Sequence, residues 1–125
     1  LYERPETIFA ARFVGTPPMN VLPPTALAAA GGGILEGVPT GHAVTTLALG
    51  VRAEDARLTS AGAPAQVTAV EYLGADTLVD TRIGGEPFTV RVAGRSNVLP
   101  GENVSIAWDA GAAHWFDATS GRRVN

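Results

Sequence analysis

Short runs in which apolar and polar residues alternate dominate the second half of the chain. Phe88, Val90 and Val92 fall on one face of an extended segment, with Thr89 and Arg91 on the other. Val104, Ile106 and Trp108 alternate in the same way against Ser105 and Ala107. A period of two is the mark of a strand with one buried face. Gln66 to Tyr72 and Thr77 to Ile83 are rich in β-branched and aromatic residues and predict two further strands. Gly84-Gly85 supplies the positive φ angles of a two-residue turn, so residues 77–92 predict a hairpin. Pro100-Gly101 turns the chain into the Val104 strand, and Ser120-Gly121 punctuates it after His114-Trp115-Phe116.

The first half is less regular. Arg4-Pro5-Glu6, followed by Ile8, Phe9, Phe13 and Gly15, predicts a short helix of two to three turns, which Pro17-Pro18 stops. Met19 to Leu22 can extend. After the Pro23-Pro24 break an apolar stretch reaches the Gly31-Gly32-Gly33 turn before Ile34 and Leu35, a pattern compatible with a loose hairpin. Ala43 to Val51 predicts another strand, and Ala53-Glu54-Asp55 a single helical turn. Strands at this spacing close most readily into a small barrel. The predicted class is mainly β, a small barrel with a short N-terminal linker helix.

Composition agrees and narrows the chemistry. The chain has 125 residues, 46% hydrophobic and 17% charged, enough for one packed core. Fifteen glycines and nine prolines suit short strands joined by tight turns. The longest apolar run, Ala26 to Ala30, is far below the roughly 20 residues of a membrane-spanning helix, and no basic-then-apolar signal segment opens the chain, so a soluble domain is expected. The net charge is −3 and the nine cations are dispersed, an arrangement that disfavours nucleic-acid binding. Cysteine is absent, so no disulfide, thiolate zinc site or thiol nucleophile is available. All nine cations are arginines; without lysine, a phosphate-loop lysine, Schiff-base chemistry and a Ser-Lys dyad are excluded.

The remaining candidates for catalysis dissolve on inspection. His42 and His114 have no partner at metal-ligand spacing. Glu54-Asp55, Asp76 and Asp80 read as solvent-facing turn and strand residues rather than an acid–base pair. Ser60, Ser96, Ser105 and Ser120 lack a glycine-flanked nucleophile elbow. Gly31-Gly32-Gly33 lacks the spaced glycines of a nucleotide fingerprint and reads as a turn. Phe88 and Trp108 sit on apolar strand faces and read as core. No catalytic, cofactor-binding or metal-ligating residue is nominated.

Four segments carry a resemblance. Leu1-Tyr2, Arg4-Pro5 and Phe9, followed by Phe13-Val14-Gly15-Thr16-Pro17-Pro18-Met19-Asn20, resemble the entry to the accessory domain of sugar-importer ATPases of the ABC class. Gly50-Val51-Arg52-Ala53-Glu54-Asp55 resembles that family's glycine-hydrophobe-arginine-proline-glutamate signature, departing from it at Ala53, and at Asp55 where histidine is frequent. Val70-Glu71-Tyr72-Leu73-Gly74-Ala75-Asp76-Thr77 resembles its next strand-turn-strand. His114-Trp115-Phe116-Asp117 with Thr119-Ser120-Gly121-Arg122 is similar to its closing motif. These segments span nearly the whole chain in the family's order, and the subgroup most similar is the glycerol-3-phosphate and maltose type.

The resemblance implies an oligonucleotide/oligosaccharide-binding-like barrel, the TOBE domain, over residues 19–125. Residues 1–18 would then be a linker helix from a nucleotide-binding domain not contained in this chain. It implies a non-catalytic regulatory and dimer-supporting role in a bacterial carbohydrate importer, with ATP and Mg held by the absent domain. The parent subunit would be an ATP-hydrolysing homodimer, touching membrane subunits through that domain and lying at the inner face of the cell membrane in the cytoplasm. A regulatory protein or small ligand is a further partner, and a small-ligand or oxyanion-sensing barrel is the alternative function. By motif position, Arg52, Glu54 and Asp55 are candidates for polar contacts between elements. Pro17, Pro18, Met19 and Asn20 are candidates for docking the barrel on the linker, and Trp115 and Phe116 for core or dimer packing.

Overall fold

In the computed structural model, residues 7, 8, 17–26, 39 and 41–125 are described. They form eight strands: β1 (Asn20–Leu22), β2 (Leu47–Val51), β3 (Ala56–Thr59), β4 (Ala63–Tyr72), β5 (Asp76–Ile83), β6 (Glu86–Ala93), β7 (Asn103–Trp108) and β8 (His114–Asp117). Single 3-10 turns lie at Val44–Thr46, Ala53–Asp55 and Ala110–Ala112. The mainly β expectation holds. The linker helix expected over residues 1–18 lies outside the described residues apart from 7, 8, 17 and 18, as does the loose hairpin beyond Ala26. The strand expected from Ala43 begins only at Leu47, because Val44–Thr46 closes a turn in which the Thr46 amide and hydroxyl both donate to the Ala43 carbonyl.

The strands form two antiparallel sheets instead of one continuous barrel: β1-β2-β8, and β3-β7-β4-β5-β6. Among the described residues no ladder joins them. The larger sheet nevertheless curls until residues of its opposite edges, β3 and β6, come within 8 Å between Cα atoms. A β-bulge at Val67–Ala69 helps the curl: Ala63, Ala65 and Val67 are buried before it, whereas Thr68 and Ala69 are both exposed after it. The inward parity of β4 thereby shifts from odd to even positions.

The core lies in the concavity. Val67, Val79, Ile83, Phe88, Val90 and Ile106 from the large sheet meet Leu22, Leu47, Leu49, Val51 and Trp115 from the small one, all at 2% exposure or less. Phe88 and Trp108 stack across it with ring centroids 5.6 Å apart, an arrangement that adds about 1 kcal/mol beyond area burial. Two threonines of β5 also point inward, and their hydroxyls are satisfied: Thr77 donates to the Gly94 carbonyl at 2.6 Å and Thr81 to the Phe88 carbonyl at 2.7 Å.

The β5–β6 turn fixes how the hairpin meets the first half of the chain. Gly84 and Gly85 have φ of 55° and 86°, the double positive pair that a primed hairpin turn needs. At Gly84 a Cβ would also strike the backbone carbonyl of Ala26. Gly74, φ 99°, occupies the neighbouring β4–β5 turn with open space where its Cβ would be. Replacing Gly74 with alanine is expected to cost about 1 kcal/mol from the left-handed backbone alone. Gly84→Ala should lose at least twice as much in urea unfolding, because Ala26 must also move. Equal losses would show that the Ala26 approach is not a constraint.

Candidate functional site

The segments singled out in the sequence converge on β2. In register, Asn20 of β1 faces Val51, Gly50 faces His114, Leu49 faces Trp115 and Ala48 faces Phe116. All five residues of β2 are buried. Trp115, 1% exposed, enters the main core between the sheets. Phe116, fully buried, points from the opposite face of the small sheet and packs with Met19 and Ala48. Gly50 belongs to this contact as well: a Cβ there would lie 2.7 Å from the Met19 sulfur and 2.9 Å from Phe116 Cε2. Trp115 and Phe116 are thus packing residues of this chain, and so is Met19. Pro17 is half-buried and Pro18 exposed in the turn leading into β1.

Asn20 does something the sequence did not announce. Its side-chain Nδ2 donates to the Thr89 carbonyl and its Oδ1 accepts from the Thr89 amide, both at 2.8 Å. The carboxamide thus pairs with the free edge of β6 as a strand residue would, and ties the small sheet to the large one. Asn20 is 9% exposed, so both bonds lie where water competes weakly.

The Arg52–Asp55 loop divides by exposure. Arg52 is 3% exposed and Ala53 fully buried, whereas Glu54 and Asp55 face solvent. The Asp55 amide closes the turn on the Arg52 carbonyl at 3.0 Å. Alanine fits the position after Arg52 because its backbone there starts a 3-10 turn in a buried pocket. This turn packs against β6, on the same strand that Asn20 clasps. Partial burial, then the neighbouring Glu54 carboxylate, raises the Asp55 pKa against the opposing pull of Arg52. Arg52 is therefore an internal residue of the seam, and the Glu54-Asp55 pair is its outward face.

The closing segment is knitted to β8. Asp117 Oδ1 accepts from the Ser120 amide at 2.8 Å and the Thr119 amide at 2.9 Å, and these bonds hold its carboxyl below the usual carboxylate range. Phe116 bridges to Arg123, Thr7 to Arg122, and the Ile8 amide donates to the Gly121 carbonyl at 2.9 Å. Residues 7 and 8 therefore lie beside the segment that flanks β8. The arginines elsewhere are dispersed: Arg57 pairs with Asp109 at 3.3 Å and Arg91 with Asp76 at 2.7 Å, while Arg82 donates to the Gly85 carbonyl.

Comparison with known proteins adds the family. Residues 49–116 match the family described as TOBE domain. Over an alignment of 134 positions that takes in 99% of this chain, it is 43% identical to the sn-glycerol-3-phosphate import ATP-binding protein UgpC of Rhizobium meliloti, covering 37% of that protein. It is 37% identical over 133 residues to the alpha-glucoside transport ATP-binding protein AglK of the same organism, covering 94% of this chain and 37% of that protein. It is 36% identical over 134 residues to the uncharacterized ABC transporter ATP-binding protein y4oS of Sinorhizobium fredii, covering 99% of this chain and 36% of that protein. The chain spans a little over a third of the length of these relatives.

Two outcomes follow from the seam. Asn20→Ala should lower unfolding stability by about 2 kcal/mol, since it removes two bonds and leaves the Thr89 amide to find water; urea denaturation with a matched Val21→Ala control checks it. For Asp55, a folded-state pKa above the unfolded one makes ionisation unfavourable to folding. The penalty is fully present above the folded value and relieved as pH falls below 3.8. Asp55→Asn should therefore melt higher than the parent at pH 7, with the difference vanishing near pH 3. A difference independent of pH would refute this assignment.

Proposed function

The chain belongs to the TOBE domain family, and from that premise we propose that it is the non-catalytic regulatory and dimer-supporting domain of an ATP-hydrolysing subunit of a carbohydrate or sn-glycerol-3-phosphate ABC importer. The observation that carries the reading is the similarity over 99% of the chain to an import ATP-binding protein of which the chain covers 37%. In this reading the two sheets are the halves of an oligonucleotide/oligosaccharide-binding-like barrel. The near approach of β3 and β6 supports it, with the Asn20–Thr89 pair standing in for a missing ladder. The nucleotide-binding domain, which would hold ATP and Mg, belongs to the rest of the subunit. Membrane subunits are contacted through that domain, at the cytoplasmic face of the membrane.

Dimer support is favoured over anion sensing by the disposition of charge. An oxyanion site requires convergent donors, either side-chain cations or a nest of backbone amides. Among the described residues Arg57, Arg82 and Arg91 each engage a different partner, and the tight amide pair at Thr119 and Ser120 is already occupied by the protein's own Asp117 carboxylate. What the domain offers instead is a packed body with an outward Glu54-Asp55 turn on the seam. Two such bodies in a homodimeric subunit would hold the ATPases together as they open and close.

The test is made in the longer ATP-binding subunit. Removal of residues 19–125 should weaken self-association without nucleotide at least tenfold in sedimentation equilibrium, and the isolated chain should turn over no ATP. Unchanged self-association after removal would overturn the dimer-supporting role.

A further inference from the structure

The β4–β5 hairpin ends in an exposed apolar pair. Among the described residues only three large apolar side chains are exposed, Tyr72 at 43%, Leu73 at 47% and Leu99 at 68%. Two of them are consecutive at this hairpin tip. The bulge at Val67–Ala69 explains their placement: by shifting parity it puts Tyr72 in line with half-buried Val70, at the rim of the concave face, instead of on the solvent face.

The tip is held firmly. The Leu73 amide donates to the Asp76 carbonyl at 2.7 Å, the Tyr72 hydroxyl to the Gly74 carbonyl at 2.6 Å, and the Gly94 amide to the Ala75 carbonyl at 2.8 Å. The first two bonds close the tip on itself, and the third ties it to the segment after β6. That segment brings Arg95 over Tyr72, with the guanidinium carbon 3.9 Å from the ring centroid. Asp76, at the start of β5 in the same hairpin, is engaged by Arg91 at 2.7 Å. Among the described residues no carboxylate lies within ion-pair distance of Arg95.

We propose that Tyr72, Leu73 and Arg95 form a docking surface for a protein partner that presents a carboxylate beside apolar side chains. The proposal rests on the reading of this domain as regulatory and deepens it by naming a surface. Tyrosine and arginine are the residue types enriched at interface centres, and side chains already ordered lose little freedom on binding. Arg95 supplies the charge to be matched and Leu73 the apolar surface to be covered. A second copy of the same patch is a poor occupant, because a two-fold contact centred here would set Arg95 against Arg95. One guanidinium on a chain of net charge −3 is likewise unsuited to a polyanion.

The probe is a 15-residue synthetic amphipathic peptide with leucines four apart and a glutamate beside each, compared with versions carrying glutamine or lysine in place of glutamate. Fluorescence anisotropy with the intact chain should show the glutamate peptide binding about tenfold more tightly than the glutamine peptide. Arg95→Gln should erase that preference, Arg95→Glu should turn it toward the lysine peptide, and Leu73→Ser should weaken both. Each variant is an exposed-site change, and thermal melting confirms its fold. No binding, or a preference that survives Arg95→Gln, overturns the proposal. So does a concentration-dependent dimer that Leu73→Ser dissolves, since a second copy would then be the occupant. Subunit self-association tests the dimer-supporting role separately, so either reading can fail alone.

Discussion

The fold depends on one side chain doing the work of a strand. Two sheets can share a core only if something sets their relative position, and a packed apolar core alone specifies this loosely. Here the setting comes from the carboxamide of Asn20, which presents one donor and one acceptor to the backbone of Thr89 across 69 positions of sequence. A carboxylate, which only accepts, could meet half of that demand. With the clasp in place, the free edge of β6 is covered at its middle, the Arg52–Asp55 turn rests against the same strand, and Ala26 lies against the turn at Gly84.

The strands of the second half were legible because their partners are close in sequence and their parity is regular. Phe88, Val90 and Val92 announce β6, and Gly84-Gly85 announces its turn. Where the reading was incomplete, a particular interaction had broken the pattern. The bulge within β4 interrupts alternation, so 66–72 looked merely β-rich. Thr77 and Thr81 face inward on β5 because carbonyls are at hand for their hydroxyls, and polarity there misleads as to direction. β3, Ala56 to Thr59, carries only four residues between turns and is a strand through its pairing with β7. A single barrel was the natural expectation from strand spacing, but spacing does not say whether the last ladder forms.

The candidate site was legible as segments and not as roles. Residues 50–55 and 114–117 meet at β2 through the Gly50–His114 pair, which motif order alone does not indicate. Within them, however, burial separates neighbours: Arg52 turns inward while Glu54 and Asp55 turn outward, and Trp115 and Phe116 serve two different clusters on opposite faces of one sheet. Sequence adjacency on a strand means opposite faces, so a motif that crosses a doubly covered sheet mixes jobs by geometry. The Asn20–Thr89 clasp left no local signal, because its meaning lies in a partner 69 residues away.

The double burial of β2 reaches beyond the fold itself. A strand with one wet side can exchange half its residues freely over evolutionary time. Leu47 to Val51 has no wet side, and Gly50 is hemmed in by Met19 and Phe116. Such a segment drifts only by trading one apolar volume for another of similar size, with compensating change across the contact. Descendants of this sequence are therefore freer to diversify at solvent-facing strand positions such as Pro64 and Gln66, while the strip through the middle keeps its lettering.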